Sequence, residues 1–179
     1  MKTQKFSQRG TKTFLRYTPS PRKTEQEFGP GRHEYFVCSD CGAVYFKKSW
    51  HHSFRGSNVR GGKHVHFTKC PACAMIANKK FEGEVFIDTS NLSGKMRQEL
   101  IQHLRHVGER AYARDPMHRI IKLQVQGSKG SIVRVTTTEN QLAIRIGREV
   151  EKLLNGKGRK RVEFSKEEDV VRVFWKSAR

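Results

Sequence analysis

Two short stretches decide how this chain folds: Cys38-Ser39-Asp40-Cys41-Gly42 and Cys70-Pro71-Ala72-Cys73. They contain all four cysteines of the chain, arranged as two C-x-x-C turns. Each tight turn brings two sulfur atoms together, and two such knuckles supply the four soft ligands of a closed tetrahedral zinc site. Gly42 suits a knuckle because the backbone must turn closely around sulfur. We therefore predict one structural zinc ion, bound by Cys38, Cys41, Cys70 and Cys73.

Three other uses of the cysteines compete with structural zinc. A redox dithiol usually accompanies a thioredoxin-like βαβ pattern, which the flanking sequence lacks. Structural disulfides would not persist in the cytosol. A mixed site would recruit a histidine of the intervening stretch, but four cysteines already fill the coordination shell. Because a catalytic zinc keeps one coordination position open, a full cysteine set also favours a structural role.

The balance of charge is the second strong signal. The 179 residues include 36 Lys and Arg against 17 Asp and Glu, which gives a formal net charge of +19. This charge repels itself in the folded state and predicts a polyanionic partner, of which nucleic acid is the commonest. A membrane surface fits less well, because the sequence shows neither a long apolar segment nor a suitable amphipathic helix. The basic N-terminus precedes no apolar signal core, so we expect a cytoplasmic location.

Composition divides the chain into three parts and predicts an α+β protein. Residues 1–34 are basic and broken by Pro19, Pro21 and Gly29-Pro30-Gly31, which predicts a flexible tail that either stays disordered or folds onto RNA as a basic arm. Residues 35–87 contain the cysteines and predict a small four-cysteine zinc ribbon with a long basic loop. Residues 88–179 predict a compact domain of order α-β-β-α-β-β.

Hydrophobic periodicity, together with residues that cap helices or form turns, predicts the order of helices and strands in residues 88–179. N-cap residues cluster at residues 90–93, before a helix that Pro116 ends. Two strands follow on either side of the turn at residues 127–130. Thr138 and Gln141 predict a capping box for a second helix, which Asn155-Gly156 ends. Residues 161–164 and 170–175 predict two closing strands.

The stretch between Cys41 and Glu82 contains no acidic residue and is the first candidate RNA-contact region. Cations pair with phosphates and rings stack on bases. Tyr45 and Trp50 could instead form the core of the ribbon, and Phe67 could pack beneath the second cysteine pair. We predict RNA contacts from Lys47, Lys48, Trp50, His51, His52, Phe54, Arg55, Arg60, Lys63, His64, His66 and Lys69.

The last predicted helix and the residues after it carry a second basic group. We predict further RNA contacts from Arg145, Arg148, Lys152, Arg159, Lys160 and Arg161. The first three recur three and four residues apart and therefore share one helix face. The alternative is an ordinary solvated face, paired with Glu149 and Glu151.

Motifs of catalysis are missing from the sequence. It contains no Walker-type phosphate loop, no G-x-S-x-G and no H-E-x-x-H. We therefore expect a binding protein and not an enzyme. The alternative function is a zinc-ribbon DNA-binding transcriptional regulator, although no convincing helix-turn-helix accompanies the ribbon.

Several motifs together resemble a known family. They are Phe36–Tyr45 with the following Trp50, Lys69–Cys73, the Thr-Thr-x-x-x-Leu-Ala pattern at residues 137–143, and Val171–Trp175. They are similar to the zinc-binding N-terminal part of the archaeal and eukaryotic large-ribosomal-subunit export adaptor, and to an uncharacterised bacterial family with the same layout.

The resemblance implies association with the large ribosomal subunit through ribosomal RNA, in assembly, dormancy or quality control. The later domains and export signals of the eukaryotic adaptor lie outside the resemblance, so nuclear export is not implied. The expected partners are ribosomal RNA, the large subunit and ribosomal proteins, with no membrane. Away from the ribosome we expect a monomer.

Overall fold

Two β-sheets organise the part of the chain that the computed structural model describes, residues 35–46, 48–52, 65–165 and 169–177. These residues belong to one unit, which spans Glu34–Arg179. The predicted tail over residues 1–34 lies outside the described residues. So do six predicted RNA contacts: Lys47, Phe54, Arg55, Arg60, Lys63 and His64.

The first sheet surrounds the cysteines. Its strands are β1 (Tyr35–Cys38), β2 (Val44–Phe46), β3 (Ser49–His51) and β4 (Val65–Thr68), in the order β3-β2-β1-β4. The first three strands pair antiparallel, and β4 lies parallel to β1. A seven-residue helix, α1 (Pro71–Ala77), follows β4 directly.

The second sheet has five strands, and two long helices accompany it. The strands are β5 (Gly83–Asp88), β6 (Ile120–Gln126), β7 (Ile132–Thr137), β8 (Gly158–Phe164) and β9 (Val171–Ser177), in the order β6-β7-β5-β9-β8. The helices are α2 (Gly94–Arg114) and α3 (Asn140–Leu153). Only β5 and β9 pair in parallel, and the other neighbours are antiparallel.

The predicted boundary at residues 87 and 88 is wrong. It cuts through β5, most of which the prediction assigned to the ribbon. β5 is instead the central strand of the second sheet, between β7 and β9. Val85 and Ile87 are fully buried, and the residues that cover them come from later in the chain. The predicted order α-β-β-α-β-β is confirmed for the elements after β5, so the complete order is β-α-β-β-α-β-β.

Both helices pack on one face of this sheet. The largest buried side chains of that core are Val85, Ile87, Leu100, Leu104, Val107, Val133, Val135, Leu142, Ile146, Val150, Val173 and Trp175. Alternation along each strand places the remaining side chains on the opposite face, which we call the open face. Among the described helices, none is both long enough and apolar enough to cross a membrane.

The two long helices begin differently. Ser93 caps α2 as predicted, because its hydroxyl accepts a hydrogen bond from the backbone nitrogen of Met96 at 3.2 Å. The predicted capping box of α3 is wrong, since Glu139 occupies the cap position without a side-chain bond. The Thr138 hydroxyl instead accepts from the backbone nitrogen of Arg119 at 2.9 Å and donates to the carbonyl of Met117 at 2.5 Å. Thr138 therefore fixes the segment that enters β6.

The contact between β8 and the Trp175 ring gives the first testable prediction. A Cβ atom at Gly158 would lie 2.3 Å from Cζ2 of Trp175 and 2.7 Å from the carbonyl oxygen of Lys176. Because Trp175 is only 2% exposed, its ring has little room to move away. We expect Gly158→Ala to lower the free energy of unfolding by about 1–3 kcal/mol, measured by thermal denaturation.

The matched control for that variant is Gly94→Ala. No atom lies within 4 Å of a Cβ built at Gly94, in the first turn of α2. We expect this control to unfold at or slightly above the wild-type temperature, since alanine favours the helix. Equal unfolding temperatures for the two variants would contradict the packing argument.

Candidate metal centre and basic surface

The four cysteines converge on one point. Their sulfur atoms all lie within 4.8 Å of one another, and no disulfide joins them. Cys41 and Cys70 bring their sulfur atoms to 3.7 Å. A tetrahedral ion with metal–sulfur bonds of about 2.3 Å requires sulfur atoms about 3.8 Å apart. The cluster therefore has the donor set and the spacing to hold one metal ion.

The first cysteine pair sits on a tight turn between β1 and β2. The Cys38 nitrogen donates to the Ala43 carbonyl at 2.7 Å, and the Gly42 nitrogen donates to the Cys38 carbonyl at 2.9 Å. Gly42 has a φ of +71°, in the left-handed region that favours glycine. This turn matches the knuckle expected from the position of Gly42.

The second cysteine pair makes its tight turn at the start of a helix, a feature that the cysteine spacing did not predict. Cys70 is the N-cap residue of α1, and its sulfur accepts from the Cys73 nitrogen at 3.4 Å. Pro71 occupies the first helical position, where its fixed φ suits the helix and its missing N–H leaves no donor unpaired. The backbone nitrogen of Cys70 donates to the Cys38 sulfur at 3.3 Å, which links the helix cap to the first pair.

The environment separates the thiols by acidity. Burial raises the pKa of Cys38, but backbone N–H groups of Cys70, Cys41 and Asp40 outweigh burial and lower the pKa to about 6. Burial is the main cause that raises the pKa of Cys70 and of Cys73. A metal ion that binds at neutral pH therefore meets the Cys38 thiolate and displaces protons from Cys70 and Cys73.

Arg119 contacts the cluster from the other sheet. Its Nη1 donates to the Cys73 sulfur at 3.4 Å, and its Nε donates to the Pro116 carbonyl at 2.7 Å. Burial alone would lower the Arg119 pKa, but Cys41 and Cys73 outweigh burial and raise it. Four thiolates on a divalent ion carry a net charge of about −2, and this guanidinium offsets part of it. Sequence reasoning missed Arg119, because 46 residues separate it from Cys73 and no motif links them.

Tyr112 of α2 extends the same junction. The Arg119 guanidinium lies 5.0 Å from the centre of the Tyr112 ring. The His52 ring packs edge-on against Tyr112 with centroids 4.5 Å apart, and His52 Nε2 hydrogen-bonds the Tyr112 carbonyl. We call strands β1–β4 and helix α1 the cysteine module. His52, predicted as an RNA contact, thus already holds this module against α2.

Trp50 and Phe67, two aromatic residues of the module, differ in their exposure. Trp50 is 9% exposed and packs on Tyr45 with ring centroids 5.4 Å apart. Its core alternative is therefore confirmed, and its ring is not free to stack on a base. Phe67 on β4 is 77% exposed, which excludes the alternative in which it packs beneath the second cysteine pair.

Four predicted contacts of the module are exposed. Lys48 lies in the turn between β2 and β3, and His51 lies on β3. His66 stacks on Phe36 with centroids 5.4 Å apart. Lys69 forms an ion pair with Asp40 at 3.1 Å. With Phe67, these four residues form what we call the module surface. It includes both faces of the first sheet, because strand pairing places His51 and Phe67 on one face and His66 on the other.

The second predicted basic group is divided between two faces. Arg148 and Lys152 are exposed on α3, and Arg145 beside them is half-buried. Lys152 pairs with Glu149 at 3.2 Å. Arg159 and Arg161 point to the open face of the sheet, whereas Lys160 points to the helix side and pairs with Glu151. The prediction that these residues form one patch is wrong, because side chains alternate along β8.

Removal of one cysteine tests the metal centre. We expect Cys73→Ser to lose bound metal and to unfold the module, because the small module depends on the ion for stability. Elemental analysis reports the metal, and near-ultraviolet circular dichroism reports the Tyr45 and Trp50 environment. Ser39→Ala, an exposed change in the same module, is the control. A Cys73→Ser protein with full metal content and unchanged spectrum would contradict this assignment.

Replacement of Arg119 tests its electrostatic role. We expect Arg119→Gln to weaken metal affinity by about tenfold, since loss of outer contacts to a metal site typically costs roughly 10–100-fold. Competition with a chromophoric chelator measures this affinity. Arg114→Gln, at the exposed end of α2, removes the same charge without touching the cluster. Equal affinities for the two variants would rule out the proposed role of Arg119.

Comparisons with protein-family models, with curated proteins and with solved structures found no match to this chain.

Proposed function

We propose that this protein binds ribosomal RNA on the large ribosomal subunit, as a zinc-stabilised binding protein and not as an enzyme. The observation that carries the proposal is the formal net charge of +19 on 179 residues. Complete pairing of its 17 acidic side chains would still leave 36 − 17 = 19 cations without an acid. RNA supplies a dense line of negative charge that neutralises such a surface.

The family resemblance supports the ribosome as the location of that RNA. The motifs that carry it span both sheets: Phe36–Tyr45 and Lys69–Cys73 in the first, and Val171–Trp175 in the second. The process served is assembly, dormancy or quality control of the large subunit, in the cytoplasm.

Zinc is the ion we propose for the cysteine cluster. Four thiolates in a tetrahedral arrangement select zinc or iron among the common biological metals. The four sulfur ligands leave no coordination position for water or substrate, which favours a structural role. Cys38, Cys41, Cys70 and Cys73 would hold the ion, and Arg119 would offset its excess negative charge.

The module surface supports direct contact with RNA. Lys48 and Lys69 can reach phosphates, and His51 and His66 offer donors. The exposed Phe67 ring has a face on which a base can stack. The segment 53–64, which carries Arg55, Arg60 and Lys63, joins the strands β3 and β4 of this surface.

Sedimentation of cell extract tests the proposed function. We expect the protein to migrate with large ribosomal subunits at low salt and to leave them at high salt, because phosphate contacts release counterions. Nuclease treatment specific for RNA or for DNA identifies the polymer. Recovery of the protein only with DNA would overturn the proposal in favour of a transcriptional regulator.

A charge-matched pair of variants tests the basic segment. We expect Arg55→Ala/Arg60→Ala/Lys63→Ala to weaken RNA binding without loss of metal. The negative slope of log affinity against log salt concentration should become shallower by about 2–3. The control, Lys95→Ala/Arg105→Ala/Arg114→Ala, removes three exposed cations from α2. Equal slopes for the two triple variants would show that the contact lies elsewhere.

A further inference from the structure

The centre of the open face carries a pair of stacked rings. Phe86 of β5 and Phe174 of β9 are directly paired in the parallel register. Their ring centroids lie 5.3 Å apart with planes 8° from parallel. Both side chains are half-buried, and the two helices cover only the opposite face of the sheet. Two aromatic rings thus stand side by side on a sheet surface that the described helices leave uncovered.

Arginines flank the ring pair on both sides. Arg161 of β8 lies 5.0 Å from the centre of the Phe174 ring and also pairs with Glu163 at 3.0 Å. Arg134 of β7 lies 5.8 Å from the centre of the Phe86 ring. We call Phe86, Phe174, Arg134 and Arg161 the aromatic platform. Its four side chains form a row across strands β7, β5, β9 and β8.

A buried acid holds one end of the platform in place. Glu84 has a side chain only 5% exposed, and it accepts from Arg134 at 2.5 Å and contacts Arg172 at 3.3 Å. These ion pairs neutralise the Glu84 carboxylate beside the platform, and they fix Arg134 over the Phe86 ring. The platform is therefore ordered before any partner arrives, which reduces the entropy lost on binding.

A groove continues from the rings toward the end of the sheet. Its lining includes Phe86, Phe174, Asp88, Arg159, Arg161 and Lys176. Three cations and one acid among these residues give the groove a net charge of 3 − 1 = +2. The groove thus combines flat aromatic surface with positive charge at its rim.

We propose that this groove and the aromatic platform bind unpaired bases of RNA, an inference that rests on the proposed function and locates a second contact surface. In this row each ring lies between the other ring and an arginine, so a base would stack on the outer guanidinium plane of Arg161 or against the ring edges, while Arg159 and Lys176 hold phosphates. A duplex keeps its bases stacked inside and cannot use the rings in this way. The positive rim favours a polyanion over an apolar protein segment.

The test uses the full-length, metal-loaded protein and two fluorescent probes, a single-stranded oligouridylate of about ten nucleotides and an RNA duplex of about twenty base pairs. We expect Phe86→Leu/Phe174→Leu to weaken binding of the single strand by about tenfold or more, because leucine fills space but cannot form the aromatic row that positions Arg161. Binding of the duplex should change less than about twofold, because a duplex does not use the rings. Fluorescence anisotropy at fixed salt measures both affinities.

Phe164→Leu is the matched control for the rings. Phe164 is 69% exposed on β8, but alternation places it on the side of the sheet opposite to Arg161. We expect this control to bind the single strand as the wild type does. Thermal denaturation and metal content confirm that each variant is folded.

A second variant keeps the proposal falsifiable if the double variant fails to fold. Arg161→Gln changes a side chain that is 68% exposed, and we expect it to weaken single-strand binding by about threefold. Arg114→Gln serves as its charge-matched control. Ultraviolet cross-linking of the oligouridylate, followed by mass spectrometry, should identify the peptide that contains Phe174.

The outcomes separate this inference from the proposed function. If the wild-type protein binds RNA and the ring and Arg161 variants bind equally well, the platform is not the site, while the proposed function stands. If these variants leave the large subunit but still bind free oligouridylate, the face docks a protein, and the inference is overturned. If the wild type binds neither RNA nor ribosomal subunits at low salt, the proposed function itself fails.

Discussion

Four sulfur atoms within 4.8 Å of one another are the constraint on which the cysteine module depends. Apart from the cysteines, the buried core of the module is Ala43, Trp50 and Ala72. Burial of so little apolar surface does not offset the conformational entropy of ordering four short strands and a helix. Coordination of a metal ion would supply the missing free energy and would also remove the repulsion between ionised thiolates that share one site.

The same cluster connects the two sheets. Coordination of a metal ion would leave negative charge on the sulfurs, and Arg119 brings a partly buried cation to within 3.4 Å of Cys73. Thr138, at the end of β7, hydrogen-bonds the Arg119 backbone, so the position of the guanidinium is set by the second sheet. His52 and Tyr112 add a contact from the module to α2. The electrostatics of the metal centre therefore explain why the module rests against this edge of the larger sheet.

The sequence allowed prediction of features that depend on local chemistry. The spacing of the cysteines, the glycine at the first turn and the Ser93 cap each follow from neighbouring residues. Features that depend on distant partners were not accessible. β5 lies next to the cysteines in sequence, but its strand partners are β7 and β9. Trp50 and Phe67 have similar neighbours in the sequence, so only strand pairing decides which of the two rings is buried. Arg159 and Arg161 point to one face of the sheet and Lys160 points to the other. This difference likewise depends on how β8 is oriented in the sheet.

Pairing with acidic side chains offsets part of the positive charge of this chain. Glu84, whose side chain is 5% exposed, pairs with Arg134 and Arg172 in the second sheet, where separation from water makes an uncompensated charge costly. Exposed cations also have acidic partners, since Arg161 pairs with Glu163 and Lys69 pairs with Asp40. Because the chain has 36 basic against 17 acidic side chains, such pairing still leaves an excess of positive charge. Under the proposed function, the phosphates of one nucleic acid strand would neutralise this excess while its bases pack on the platform.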